Sequence, residues 1–282
     1  MIADLHTHST ASDGRLMPYQ LPEKAIEAGL EVLALTDHDT TAGVAVAAEA
    51  AGKVGLELVA GVEISADPGP AGGTLHLLGH FIQPGSGALE RLIDRVQQAR
   101  RQRNPRIIER LQELGVSIDG QEVAESSGEG VVGRPHVAAV LVRKGYAKTI
   151  QDAFVRYLGE QGAAYVPKER PEPEAAIAAI HAAGGLATLA HPVQLRQPDE
   201  ALHRLMLRLC EVGLDGLEVH HPDHEPRERE RFDRMARRFG VWRTGGSDYH
   251  GEDRGRPLGC CRTDASVLEA MREAAAVRQV TG

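Results

Sequence analysis

The sequence of 282 residues is poor in cysteine, in aromatic side chains and in long apolar runs. Its three cysteines, Cys210, Cys260 and Cys261, form no CxxC pair, which excludes a disulfide framework and a thiolate zinc site. No apolar run approaches the length of about 18 residues that predicts a transmembrane helix. We therefore expect a globular protein without a membrane partner.

Positive charge is also in deficit, with 32 Lys and Arg against 40 Asp and Glu and a formal net charge of −8. An acidic chain binds duplex DNA poorly, so we expect no stable duplex DNA complex. An anionic substrate would need a local positive source. The first residues, MIADLHTHS, lack the basic and apolar regions of a secretion signal, so the cytoplasm is the expected location. The oligomeric state stays open.

Seven short apolar segments that end in polar residues predict the strands of a barrel. They are residues 2–8, 31–38, 56–65, 74–81, 185–191, 215–221 and 241–250. Predicted helices between several of them are residues 22–28, 41–54, 173–183, 199–212 and 225–239. The alternation is typical of parallel βα units, and about seven such units predict a closed α/β barrel.

This alternation breaks between residues 86 and 165, where no buried strand is predicted. The stretch 89–114 predicts a long helix with seven arginines, which Pro105 should kink or divide. Stretches 137–144 and 150–158 predict shorter helices. We therefore predict a discontinuous barrel of residues 1–85 and 166–282, with residues 86–165 inserted as a helical lobe. The arginine-rich helix either guides RNA or presents an ordinary solvated face.

Histidine is abundant, with 13 residues, and it recurs where predicted strands end. The strand-end segments are DLHTH, LTDHD, GVEIS, TLAHP and GSDYH. Because the carboxyl ends of parallel barrel strands meet at one face, these side chains should converge. Residues i and i+2 of a strand point the same way, so HxH and DxH each aim two groups at one point. Imidazoles and carboxylates without thiolates favour a Zn, Mn or Fe centre.

The segments DLHTHSTASDG, LTDHD, GVEIS, LAHP and GSDYH resemble the four-motif signature of the PHP (polymerase and histidinol phosphatase) superfamily. The resemblance extends over nearly the whole chain, including GRPHVAAVLV in the predicted lobe. It is strongest to stand-alone PHP phosphoesterases that act on nucleotides, including 3′,5′-bisphosphate nucleotidases and 5′–3′ RNA exonucleases. It implies a distorted (β/α)₇ barrel, a trinuclear metal site and a lobe that lies over that site.

The resemblance also implies which side chains hold three divalent ions, which could be Mn²⁺, Zn²⁺ or Fe²⁺. One ion would be held by His6, His8, Glu63 and Asp248, a second by Asp13, His38 and His250, and a third by Glu63, His76 and His191. Some relatives have histidine where this chain has Asp13. Three such ions, three carboxylates and a bridging hydroxide leave a charge of about +2, which is the positive source that the acidic chain otherwise lacks.

The predicted reaction is metal-activated hydroxide attack on phosphorus in a nucleotide or short-RNA phosphate ester. Arg134 and His136 lie with Pro135 at the start of a predicted helix, where free backbone N–H groups and a guanidinium suit a phosphate. Lys168 is a further candidate phosphate contact. His221 and His224, in the loop after the sixth predicted strand, are candidates for protonating the leaving oxygen.

Three alternatives remain open from the sequence. The first is a phosphatase for a small metabolite such as histidinol phosphate. The second is an amidohydrolase-type C–N hydrolase, since similar barrels and ligands serve both reactions. The third is a metal-binding accessory protein without activity, which a complete ligand set disfavours.

Overall fold

The computed structural model describes residues 2–70, 72–127, 131–252 and 255–281, and its centre is one seven-stranded sheet. The strands are β1 Ala3–Asp4, β2 Val32–Leu35, β3 Glu57–Ala66, β4 Leu75–His80, β5 Leu186–Leu189, β6 Gly216–His220 and β7 Trp242–Gly245. They pair in sequence order. A parallel bridge between Thr7 and Tyr249 then brings the two edges of the sheet together. The predicted distorted barrel is thereby confirmed, as a nearly closed one.

One strand breaks the predicted parallel arrangement, because β4 runs antiparallel to both β3 and β5. Only residues 67–74 join β3 to β4, whereas a parallel connection needs a crossover of about a dozen residues or more. The start of β4, rather than its end, therefore lies at the mouth of the barrel. This places His76 at the mouth and His80 deeper, where the His80 Nε2 donates to the Leu5 carbonyl at 2.8 Å.

The strand ladders are shorter than the sequence predicts, and β1 contains only two residues. His6 and His8 follow β1 in irregular backbone, and Asp248 follows β7 in the same way. The edges still meet here, because the His8 N–H donates to the Tyr249 carbonyl at 2.9 Å. These side chains are therefore placed by loop backbone and not by a regular pleat.

Ten α-helices accompany the sheet in the described part of the chain. They are α1 Leu21–Glu27, α2 Val44–Val54, α3 Gly87–Glu113, α4 Gly120–Ser127, α5 Arg134–Arg143, α6 Ile150–Ala153, α7 Pro173–Ala182, α8 Asp199–Glu211, α9 Pro226–Phe239 and α10 Ala265–Thr281. A π-helical turn, Phe154–Leu158, continues α6. The sequence did not predict α4 or α10. None of the described helices combines the length and the apolar character needed to cross a membrane.

Two apolar cores share helix α3. Its first turns place Leu89, Leu92 and Val96 in the core that covers the barrel strands. Its last turns place Ile107 and Leu111 in a second core with α5 and the turn after α6. The helix is continuous over Gly87–Glu113, so Pro105 does not divide it. One helix thus connects the barrel to the helices that stand over its mouth.

Candidate active site

All nine side chains predicted as metal ligands meet at the mouth of the barrel. They are His6, His8, Asp13, His38, Glu63, His76, His191, Asp248 and His250, and they form four overlapping groups in which ligand atoms lie within 4.8 Å of one another. One carboxylate, that of Glu63, is approached by five imidazoles. These are His6, His8, His38, His76 and His191, at 2.7–3.4 Å.

Four of these side chains, His6, His8, Glu63 and Asp248, have the spacing of ligands around a single ion. The His8 Nε2 lies 3.2 Å from both Glu63 Oε2 and Asp248 Oδ1, and the His6 Nε2 lies 3.4 and 3.5 Å from the same two oxygens. Two ligand atoms about 2.1 Å from one ion at roughly 90–109° are about 3.0–3.4 Å apart. The four atoms therefore surround a point that suits a divalent cation.

Two further sets of ligand atoms lie beside these four. In one, Asp13 Oδ1 is 3.2 Å from the His250 Nε2 and 3.8 Å from the His38 Nε2. In the other, Glu63 Oε1 lies 2.7 Å from the His76 Nδ1 and 2.8 Å from the His191 Nε2. The single Glu63 carboxylate thus connects groups that come from distant parts of the chain.

Electrostatics also fits cation binding. Buried atoms of the cluster, including His6 Nε2, His8 Nε2 and Glu63 Oε2, make no hydrogen bond. Burial raises the pKa of Glu63, but the surrounding His38, His76 and His6 outweigh it and hold that pKa well below its usual range. Burial lowers the pKa of His38, yet the Glu63 and Asp13 carboxylates raise it to about 9. The buried carboxylates of the cluster are stabilised by nearby positive charge, and bound metal cations would provide that charge without protonation of the histidines.

The backbone at this mouth is strained at three non-glycine positions. His191, Asp248 and Asp39 have φ angles of 22°, 50° and 52°, in the left-handed region that costs energy for side-chain-bearing residues. Two of these residues are in the ligand cluster, and the third follows His38 directly. The surrounding structure holds them in conformations that turn their side chains toward the mouth.

Glu218, inside β6, fixes two members of the cluster. One of its oxygens contacts the His6 Nδ1 at 2.9 Å, and the other accepts the His191 backbone N–H at 2.6 Å. The first contact assigns the His6 proton to Nδ1 and leaves its Nε2 lone pair facing the other ligands. A carboxylate that holds a ligating imidazole in this way is a common feature of metal sites.

A separate cavity of about 210 Å³ adjoins the cluster and is rich in cationic side chains. Its basic lining residues are Arg100, Arg103, Arg134, Lys168 and Arg170, and it shares Asp13, His38 and His76 with the cluster. The acidic partner beside them is Asp39, which pairs with Arg100 and lies 3.6 Å from the Lys168 Nζ. Five cations around one small cavity favour an anionic ligand.

The cations of this cavity are costly to bury without an anion. Burial and the neighbouring guanidinium groups lower the pKa of Arg103 to about 9 and that of Arg134 to about 10. The same causes, burial first, hold the pKa of Lys168 well below its usual range. The Lys168 Nζ and the Arg103 Nε make no hydrogen bond although both atoms are buried. A phosphate would satisfy both donors and relieve the repulsion.

Comparison with known proteins agrees with this geometry. A model of the PHP domain matches residues 4–160, which is more than half of the chain. The chain belongs to the PHP domain family.

Relatives of this PHP chain carry several phosphoester activities. A 5′-3′ exoribonuclease from Haemophilus influenzae is 36% identical over 88% of this chain and 89% of the relative. A phosphoribosyl 1,2-cyclic phosphate 1,2-diphosphodiesterase from Eggerthella lenta is 35% identical over 89% of this chain and 95% of the relative. A 3′,5′-nucleoside bisphosphate phosphatase from Chromobacterium violaceum is 32% identical over 89% of this chain and 88% of the relative. Overall identity therefore does not decide the substrate.

A solved structure supports the same class of protein. A protein from Bifidobacterium adolescentis that is called a metal-dependent phosphoesterase superposes with a TM-score of 0.87, at 34% identity, over 96% of both chains. The prediction of a metal-dependent phosphoester hydrolase of the PHP type is confirmed. Its His, Asp and Glu clusters indicate the use of divalent metal ions.

The remaining predicted site residues lie at different depths of this PHP mouth. Arg134 and His136 line the cationic cavity with Lys168. The Arg134 Nη1 also donates to the Leu158 carbonyl at 3.0 Å, and the His136 Nδ1 accepts the Gly133 N–H at 3.0 Å, so both also stabilise the helices over the mouth.

The two candidate acid histidines have different surroundings. The His221 Nδ1 accepts the Asp223 N–H at 3.1 Å, so its Nε2 carries the proton, 3.3 Å from Asp248 Oδ2. The His224 Nδ1 donates to the Val219 carbonyl at 2.9 Å, and its ring packs against Phe232. Burial lowers the pKa of His224 to about 4. Of these two histidines, His221 is the one that directs a proton toward the ligand cluster.

Sequence reasoning missed Glu218 and Arg170 and did not separate Arg100 and Arg103 from the other arginines of α3. An acidic residue within the apolar strand segment GLEVH was the available signal for Glu218, because a buried acid needs a partner. For the arginines no such signal existed. Seven of them are distributed around one long helix, and only the packing of that helix selects which ones enter the cavity.

Proposed function

We propose that this chain hydrolyses the ester at the 3′ phosphorus of a nucleotide that also carries a 5′-phosphate. The substrate is either a 3′,5′-bisphosphate mononucleotide or the 5′ end of a short RNA. The observation that carries this proposal is the cationic cavity beside the ligand cluster, with Asp13, His38 and His76 lining both. Two adjoining sites for negatively charged groups suit a ligand with two phosphates.

The cluster offers three proposed ligand sets. His6, His8, Glu63 and Asp248 would hold the first divalent ion, Asp13, His38 and His250 the second, and Glu63, His76 and His191 the third. Nitrogen and oxygen donors of this kind suit Mn²⁺, Zn²⁺ or Fe²⁺. Bound ions would supply the Lewis acidity and the water activation that phosphoester hydrolysis requires at neutral pH.

The cationic cavity would hold the phosphate that is not attacked. Lys168 and Arg103 have buried donors without partners, and Arg134 stands at the cavity wall. Holding the 5′-phosphate here orients the nucleotide so that its 3′ phosphorus lies at the cluster. This single placement accounts for both a bisphosphate mononucleotide and a 5′-phosphorylated RNA end, because the bond that breaks is the same in each.

We assign proton donation to His221. In the overall step the oxygen of water joins phosphorus, the bond from phosphorus to O3′ breaks, and O3′ leaves with a proton. The His221 Nε2 carries a proton at the edge of the cluster and lies 3.3 Å from Asp248 Oδ2. The neighbouring His224 is assigned a positioning role, since its Nδ1 proton is used by the Val219 carbonyl.

The alternatives explain less of the site. A phosphatase for a small monophosphate leaves the buried cations without a function, and C–N hydrolysis requires neither them nor a second anion site. A non-catalytic accessory role leaves the complete ligand cluster unexplained. The cationic cavity therefore favours a substrate with two phosphates.

The test is a substrate panel with purified protein and Mn²⁺. We expect release of inorganic phosphate and adenosine 5′-monophosphate from adenosine 3′,5′-bisphosphate, release of mononucleotides from a 5′-phosphorylated RNA hexamer, and loss of both with a chelator. Histidinol phosphate and a panel of amides are the comparison substrates. Phosphate release from histidinol phosphate alone, or ammonia release without phosphate, would overturn the proposal.

A further inference from the structure

A second and larger opening reaches the same mouth from another side. It is a groove of about 920 Å³ between the loop of residues 10–19, the start of α2, the middle of α3 and the start of α5. We call it the strand groove. Ligand sites of about 300–1,000 Å³ accommodate a drug-sized molecule, so this groove has room for about two nucleotides.

The strand groove is continuous with the site already described. Ser12, Asp13 and Arg100 line both the groove and the cationic cavity. Asp13 is also a member of the ligand cluster. A chain that extends from the cluster past Asp13 therefore enters the groove directly.

The charge of the strand groove is opposite to that of the whole chain. Its charged lining residues in the described part of the chain are Arg15, Arg100 and Arg101 and the carboxylate of Asp13. Arg100 is paired with Asp39, which leaves Arg15 and Arg101 against Asp13. The chain as a whole has a formal charge of −8. A local excess of guanidinium groups on an acidic protein favours a polyanion at this place.

Apolar side chains stand exposed along the same groove. Met17, Tyr19 and Val46 are 42%, 54% and 47% exposed, and all three line it. The loop that presents Tyr19 is ordered by its own contacts, since the Met17 N–H donates to Gln20 Oε1 at 2.9 Å and the Thr10 N–H donates to the Leu16 carbonyl at 2.8 Å. Aromatic rings beside a basic groove are the usual means of binding single strands, because every base can stack on them.

We infer that the strand groove binds the nucleotides on the 3′ side of the attacked phosphate in a single-stranded RNA. This inference rests on the proposed function. The cationic cavity, at about 210 Å³, is too small for more than the 5′ end of a strand, and the cluster takes the attacked phosphorus. The rest of the strand leaves past Asp13, over Tyr19 and along Arg101.

The test compares a 5′-phosphorylated RNA hexamer with adenosine 3′,5′-bisphosphate as substrates of the Tyr19→Ala variant. We expect the ratio of kcat/KM for the hexamer to kcat/KM for the mononucleotide to fall about tenfold, because stacking acts only on the hexamer. Tyr19→Phe keeps the ring and should restore the ratio. Leu207→Ala, on exposed α8, is the matched control and should leave the ratio unchanged.

A second arm measures charge. The slope of log kcat/KM for the hexamer against log salt concentration should become shallower by about 0.7 in Arg101→Gln, the value expected for one lost phosphate contact on a single strand. Arg106→Gln, on the same helix but outside the groove, should keep the wild-type slope. An unchanged slope in Arg101→Gln would overturn the charge part of the inference.

Direct binding separates failure of this inference from failure of the proposed function. A fluorescent 5′-phosphorylated hexamer is titrated with chelated enzyme, in which no turnover occurs. If Tyr19→Ala weakens binding of the hexamer about tenfold, the groove assignment is supported. Absence of nucleotide hydrolysis in the same preparation would then overturn only the proposed function. Equal binding of the hexamer by wild type and Tyr19→Ala would overturn the groove assignment, as would a variant whose only change is in its oligomeric state. In either case, phosphate release from adenosine 3′,5′-bisphosphate would still support the proposed function.

Discussion

The ligand cluster and the cationic cavity touch each other, but they are built in different ways. The cluster takes its side chains from the mouth-facing ends of the barrel strands, and many lie two residues apart in short motifs. The cavity takes Arg100 and Arg103 from α3, Arg134 from α5 and Lys168 from the segment before α7. Carboxylates and imidazoles on one side attract cations, and the basic groups on the other attract an anion. In the proposed function, the barrel therefore provides the chemistry and the helices over it provide the recognition.

The largest effect should come from the residue that connects the whole cluster. Glu63→Gln removes the charge that five imidazoles share, so we expect kcat/KM to fall by about a thousandfold or more and the metal content to drop. The measurement is steady-state kinetics together with elemental analysis. Glu230→Gln, on the exposed face of α9, is the control. A variant with full metal content and normal turnover would show that Glu63 is not a ligand.

A smaller and more selective effect should come from the cavity. Arg134→Ala should raise KM for adenosine 3′,5′-bisphosphate by about 10- to 100-fold, because a charge-assisted hydrogen bond to phosphate contributes about 1.5–3 kcal/mol. Adenosine 3′-monophosphate, which lacks the second phosphate, should be affected far less. Arg143→Ala, at the other end of α5, serves as the control. An equal rise in KM for both substrates would show that Arg134 does not recognise the second phosphate selectively.

Glu218 tests the comparison within the barrel, because it contacts His6 and His191 but is not itself a member of the ligand cluster. Glu218→Gln keeps the shape but loses one acceptor, so we expect metal affinity to fall about tenfold. Turnover should largely recover at saturating metal, which a merely structural defect would not show. Metal titration followed by activity measures this, with exposed Glu211→Gln as the control. Turnover that stays low at saturating metal would argue against a positioning role.

The smallest effect should come from the end of the barrel opposite the mouth. Asp215, just before β6, accepts hydrogen bonds from Ala187, His181 and Arg278 at 2.8–3.0 Å. Burial raises the pKa of Asp215, but the contacts with His181 and Arg278 outweigh it and lower the pKa. Asp215→Asn should lower Tm by about 3 °C at pH 7 and leave kcat unchanged.

The difference in Tm between wild type and Asp215→Asn should depend on pH, because the pKa of Asp215 is lowered in the folded protein. A carboxyl with a lowered folded pKa stabilises the protein above its unfolded pKa of about 3.9, and the stabilisation is lost as the pH falls through the folded value. Thermal melts at several pH values should therefore show the gap between wild type and Asp215→Asn closing below about pH 4. A gap that stays constant in acid would show that charge is not its cause.

Much of the barrel could be predicted, because strand-end polar residues and apolar segments of about five to eight residues are local signals. The reversed direction of β4 was not predicted, although the short connection of residues 67–74 implied it, because a parallel crossover needs about a dozen residues or more. The ladders are also shorter than the apolar segments, since β1 ends at Asp4 and β2 at Leu35, before His6 and His38 are reached. The site was more predictable than the strand ends that hold it.

The sequence by itself identified a candidate metal centre, since imidazoles and carboxylates at predicted strand ends are metal ligands wherever the strands lie. The set of nine candidate ligands and the phosphoester chemistry came from the resemblance of its short motifs to the PHP superfamily, because similar ligands also serve C–N hydrolysis. Only the tertiary structure decided which arginines matter. Arg100 and Arg103 enter the cavity because the last turns of α3 pack on α5, and the sequence of one helix does not state what packs against it. Short motifs identify candidate ligands from a few neighbouring residues, whereas the packing of the whole chain decides which residues lie next to a helix face.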